Sequence, residues 1–205
     1  VRLLQMLSMG HHLQKNISEG QLFGLENIYD HYLSEGAADR MCAYLKERWE
    51  KPGSRYHVMK EMFACLHKLE VLSADWPKKV RHYEKVLFGG GRKQYEALHQ
   101  YRMPDKIAEQ LLSYFIYVYF AGAVYDGMPY SKVKLAVIST MLIEDMVCAK
   151  AAEKGQLSFE AIADAAHSYA REVEHSDLNL QRLSTMFRHQ KCFHIGRLCG
   201  ALLEW

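Results

Sequence analysis

Apolar positions recur three and four residues apart along almost the whole chain, and no stretch alternates convincingly between apolar and polar. Leu3, Leu4, Leu7 and Leu13 mark a first helix that fades at "NISEG". A second runs from Leu22 to Leu33 and stops at Gly36. A third, "AADRMCAYLKERW", carries Met41, Leu45 and Trp49 on one side until "KPGS" breaks it. The spacing predicts a fourth helix from Tyr56 to Leu72, and Pro77 opens a fifth behind the cap candidate Asp75. Three glycines at 89–91 make the sharpest break, followed by a short amphipathic helix over 92–101. "MPDK" opens an apolar helix that ends at the turn "YDGMPYS". Ser131 is read as the cap of a helix over 132–153, Ser158 of one reaching Glu174, and Ser176 of one reaching Arg188. The apolar tail 192–205 is expected to dock, and no repeat of solenoid length is visible. The prediction is an all-α chain: a single multi-helix domain of about nine or ten helices around a central apolar helical hairpin over 104–153.

The most apolar stretch, "LLSYFIYVYFAGAVYDG", is uncharged from Leu111 to Tyr125. A helical membrane span needs about 20 apolar residues, and shorter runs are more often core helices. Tyr114, Tyr117, Tyr119 and Tyr125 would each carry a hydroxyl into lipid. The expectation is therefore a core helix and no membrane. Tyr114, Tyr117, Ala121 and Tyr125 fall on one face. That stripe is read first as core packing and second as the wall of a ligand or peptide groove.

Composition narrows the classes. At 205 residues, 49% hydrophobic and 24% charged, the chain is an ordinary globular one. A net charge of +2 advertises neither nucleic acid nor an anionic surface. Five cysteines without short paired spacing, three of them (Cys42, Cys65, Cys148) among apolar residues, suggest buried thiols in a reducing, cytoplasmic compartment. No signal peptide is visible, and the opening "VRLLQML", in helical rhythm without methionine, reads as the interior of a longer protein.

Motifs for chemistry are weak. Glu96 with His99, and Glu172 with His175, have the spacing of di-iron carboxylate helices, with Glu144 a conceivable bridge. The flanks are wrong for such a centre, and no metal site is expected. His189, Cys192, His194 and Cys199 do not match the arms of a structural zinc site and read instead as a docked tail with buried thiols. "VLFGGGRK" follows a helix and not a strand, so it is a linker rather than a phosphate loop.

"LHKLEVLSADW", "LLSYFIYVYFAGAVYDG", "YSKVKLAVIST" and "AHSYAREVEHSDLNLQRL" resemble, in that order, the C-terminal helical region of the bacterial flagellin lysine-N-methylase family. The resemblance implies an S-adenosylmethionine-dependent lysine methyltransferase. It also implies an iron–sulfur cluster held by an N-terminal cysteine-rich part that this chain lacks. On that reading the chain is the helical body, without a cofactor of its own and not catalytic alone, and its partners are flagellin and the cysteine-rich region. Tyr114, Tyr117, Tyr125, Asp126, Arg171, Glu172, Glu174 and His175 are the implied substrate- or domain-facing surface, with Glu172, Glu174 and His175 as an acidic patch that attracts lysine. A small-molecule-binding or dimerising helical domain of a regulator, or a structural module, is the alternative.

Overall fold

A computed structural model describes residues 1–21, 25–49 and 54–204. The described residues form twelve α-helices and three 3-10 turns, without strands. The helices are α1 (Arg2–Ser18), α2 (Leu25–Leu33), α3 (Ala37–Trp49), α4 (Ser54–Leu66), α5 (Trp76–Phe88), α6 (Gly91–Leu98), α7 (Asp105–Tyr119), α8 (Ala123–Asp126), α9 (Pro129–Lys154), α10 (Phe159–Val173), α11 (Asp177–His189) and α12 (Ile195–Leu203). The predicted start at Leu22, the break over 51–53 and the packing of the Trp49 side chain lie outside the described residues.

The core is built around α9, which is buried on every side from Val133 to Ala149. It packs against α1, α7, α10, α11 and α5, while α12 packs across α1, α3 and α4. Such a helix has no polar face to show, so its hydrophobic pattern fills the circle instead of a stripe. Glycine sets the closest approach. A Cβ at Gly10 of α1 would lie 2.8 Å from Val133 Cγ2, so α1 can seat on α9 only where that side chain is missing. Gly155 closes α9 in the left-handed conformation at φ +69°.

Local signals acted as expected at two caps. The Ser158 hydroxyl accepts from Ala161 N, and that of Ser176 from Asn179 N. Ser131 does not cap: α9 begins at Pro129, whose fixed φ opens the helix one turn earlier. The fourth helix stops at Leu66, short of Leu72. Residues 67–75 form a strap, because Asn179 and Glu172 take the backbone N–H groups of Glu70 and Leu72 that a continuing helix would have used internally. The triple glycine is the tight corner between α5 and α6. The tail is helical and docked, with Leu198, Cys199 and Ala201 fully buried.

The apolar stretch of 111–125 departs most from its expected place. Leu112 and Phe115 enter the core, but Tyr117 is 88% and Tyr125 93% exposed, and Tyr114, Val118 and Val124 are also exposed. The stripe is not core packing. The core arm of the hairpin is α9, whose buried length carries two acids.

Candidate functional site

Those acids, Glu144 and Asp145, are 1% and 0% exposed. Consecutive helix residues diverge by about 100°, so two adjacent buried acids require neighbours on two sides of α9. From α4, Arg55, itself 2% exposed, places one guanidinium nitrogen 2.7 Å from Asp145 Oδ1 and 3.7 Å from Glu144 Oε2. From α6, the Tyr95 hydroxyl donates to Asp145 Oδ2 at 2.8 Å. From the turn before α7, Arg102 Nε donates to Glu144 Oε1 at 3.2 Å. Burial works against the Arg55 charge, but the acidic groups of Tyr95, Asp145 and Glu144 outweigh it and raise its pKa. Burial raises the Glu144 carboxyl to about 7 against the pull of Arg55 and Arg102. It also holds His99, whose ring stacks edge-on to Tyr95 at 4.8 Å, below the usual imidazole value, with Arg55 adding to the effect.

Two clefts reach this ionic group. One of about 460 Å³ is lined by Arg55, Tyr56, Tyr95, Glu96, His99 and Glu204. The other, of about 420 Å³, is lined by Arg102 with Leu4, Asp105, Glu109, Leu112 and Leu202. Arg55 and Arg102 therefore each wall one cleft and grip Glu144 from behind it. A carboxyl that titrates near neutrality at such a place can hold or release a proton under physiological conditions.

The Glu144 shift has a measurable consequence. Its folded pKa lies above the ordinary 4.5, so between pH 4.5 and 7 the folded chain binds the extra proton. The group's contribution to stability therefore falls as pH rises through that window and is level above it. In urea unfolding across the window, wild type should lose about 3 kcal/mol relative to Glu144→Gln, which does not titrate. Parallel curves would mean that Glu144 is ionised throughout.

The residues singled out in the sequence fall in three places. Tyr114, Tyr117, Tyr125 and Asp126 lie along the exposed side of α7 and α8. Glu174 joins them, accepting hydrogen bonds from Tyr114 and Tyr119 on one carboxylate oxygen at 2.9 and 3.0 Å. Asp126 accepts from Met128 N and pairs with Lys132 at 2.7 Å. Burial opposes the Asp126 charge, but Lys132 and that N–H outweigh it and hold its carboxyl below the usual range. Arg171 is exposed over a smaller cleft with Trp76, Lys79 and Asp164. Glu172 turns inward, 2% exposed, to receive Leu72 N at 3.0 Å, while His175 points out. Glu172 is thus held inside while Glu174 and His175 stand outside, so the three do not form one exposed acidic patch.

The buried ionic group was only half legible. Two acids inside an apolar helix were a signal, since such groups are rarely buried without partners. Arg55, distant in sequence, carries no mark of its role. Of the two Glu-x-x-His pairs, Glu96 bonds Arg92 and Glu172 holds the strap. No group of three or more His, Cys, Asp or Glu able to hold a metal occurs among the described residues, and Cys42, Cys65, Cys148, Cys192 and Cys199 give no iron–sulfur ligand set.

The model of the FliB lysine N-methylase C-terminal domain matches residues 1–201. The chain belongs to this family. No curated protein and no solved structure is matched by it. This FliB C-terminal domain is thus an α9-centred helical body with a buried ionic group and one exposed aromatic face.

Proposed function

We propose that this helical body receives the protein substrate of a flagellin lysine N-methylase, in the cytoplasm, docking it along the α7–α8 face. One observation carries the reading: Tyr114, Tyr117, Val118, Val124 and Tyr125 stand exposed at helical spacing on a segment apolar enough for a core. Monomers rarely leave such a surface bare, and exposed tyrosines are favoured anchors of protein interfaces. Glu174, fixed by two tyrosine hydroxyls, gives the face a carboxylate that attracts a lysine ammonium. S-adenosylmethionine, bound by the whole protein, supplies the methyl group; this chain's residues hold and orient the acceptor.

The test uses the full-length enzyme. Tyr117→Ala with Tyr125→Ala is expected to raise KM for the folded protein substrate about tenfold or more, with kcat and the unfolding midpoint nearly unchanged. An unchanged KM would sink the docking role. One observation favours a second occupant: the helical run Asp105–Asp126 is long and apolar enough to cross a membrane, and only 11% of its most apolar window is buried. If the chain floats with phospholipid vesicles and the double variant does not, the face belongs to a lipid surface.

A further inference from the structure

A small cleft of about 250 Å³ lies between the start of α5 and one face of α10. Trp76 and Lys79 line it from the first turn of α5, and Ser73 from the strap before that helix. His167, Ser168 and Arg171 line it from α10, at the spacing of a single helix face. Its charges are unevenly matched. The two acids in the lining are engaged elsewhere, Asp164 with Lys150 and Glu172 with Leu72 N at 3.0 Å. The two cations form no ion pair among the described residues. Lys79 has the Ser168 hydroxyl, at 3.4 Å, as its one hydrogen-bond partner, and Arg171 has none.

Trp76 is an independent sign of a ligand. It is 2% exposed, and its buried indole N–H has no hydrogen-bond acceptor among the described residues. A buried donor left in that state costs free energy that a seated acceptor would recover. The positive end of α5 lies at the same place, and Asp75 precedes the helix without a side-chain capping bond. We infer that this cleft is a phosphoryl-binding site, for the free anion or for the same group carried on a side chain. A phosphoryl group brings nearly two negative charges near neutral pH and three strong acceptor oxygens. That matches two cations, the Trp76 N–H and the hydroxyls of Ser73 and Ser168. A carboxylate, with one charge and two oxygens, leaves a cation unmatched. The volume falls below the roughly 300 Å³ at which pockets for drug-sized ligands begin, so only the head group enters. None of these residues belongs to the α7–α8 face, and loss of either site leaves the other in place.

The test follows the indole N–H of Trp76 in ¹⁵N–¹H spectra of the folded chain, whose three tryptophans give three such signals. Inorganic phosphate near neutral pH is expected to move the Trp76 signal saturably, with a Kd of about 1 mM or lower. Sodium chloride at the same ionic strength should not move it, and acetate should bind at least about tenfold more weakly. Lys79→Ala with Arg171→Ala alters two exposed side chains and should weaken phosphate at least about tenfold, with the signals of Trp49 and Trp205 unmoved. Arg171→Lys should keep part of the affinity. O-Phosphoserine distinguishes the sources: tighter binding than phosphate assigns the site to a phosphorylated side chain, equal or weaker binding to the free anion. A shift that does not saturate, that chloride or acetate reproduces, that falls on the other tryptophans alone, or that survives the double variant would overturn the assignment.

Discussion

Asp145→Ala is expected to destabilise the chain by about 3–5 kcal/mol, the range for removing one partner from a buried ion pair. The loss has a definite origin. Asp145 accepts from Arg55 at 2.7 Å and from the Tyr95 hydroxyl at 2.8 Å, and all three groups are almost wholly buried. Without the carboxylate, the Arg55 charge loses its 2.7 Å partner, and Glu144, 3.7 Å away, already binds a proton more readily than an exposed acid. Arg55→Met combined with Asp145→Leu should be markedly less damaging than Asp145→Ala, because no uncompensated charge remains. Urea unfolding of the three proteins checks this. If the double variant is as unstable as the single one, the ionic group supplies more than mutual neutralisation. A loss below about 1 kcal/mol for Asp145→Ala would mean that water reaches the site.

Asn179→Asp is expected to cost about 3 kcal/mol near neutral pH, although the side chains are almost the same size. Asn179 is fully buried at the start of α11. Its amide nitrogen donates to the carbonyls of Glu70 at 2.9 Å and Glu172 at 2.7 Å, and its oxygen accepts from Glu70 N at 2.6 Å. One side chain thus ties the strap over 67–75 to the end of α10. Aspartate keeps the acceptor but turns the donor edge into a second acceptor facing two carbonyl oxygens. The measurement is a urea midpoint with amide exchange over 68–74, which should quicken by orders of magnitude if the strap detaches. Exchange that stays protected would show that the strap is held by its other bonds, those of Glu172 with Leu72 N and of Ser176 with Glu70.

Much of the architecture was legible because its causes are local. Helical periodicity, scarce proline, and the serines at 158 and 176 act within a few residues and operate in the fold as they do in a peptide. Boundaries failed where a distant group intervened. Helix α4 ends early because Asn179 and Glu172 take the backbone of the residues after it. Family membership was also legible, carried by residues spread over most of the length and matched over 1–201.

The sequence by itself thus determined the class, the helices and the family, all of which rest on short-range spacing and residue type. Only the tertiary structure decided which apolar helix is the core. α7 and α9 are both apolar enough, and the choice depends on what packs around them: helices enclose α9 on every side, leaving one side of α7 open. Tertiary structure alone also brought Arg55, Tyr95 and Arg102 to Glu144 and Asp145. Pairings across 42 to 90 positions leave no periodic trace along the chain, because they are set by where helices cross and not by how any one of them forms.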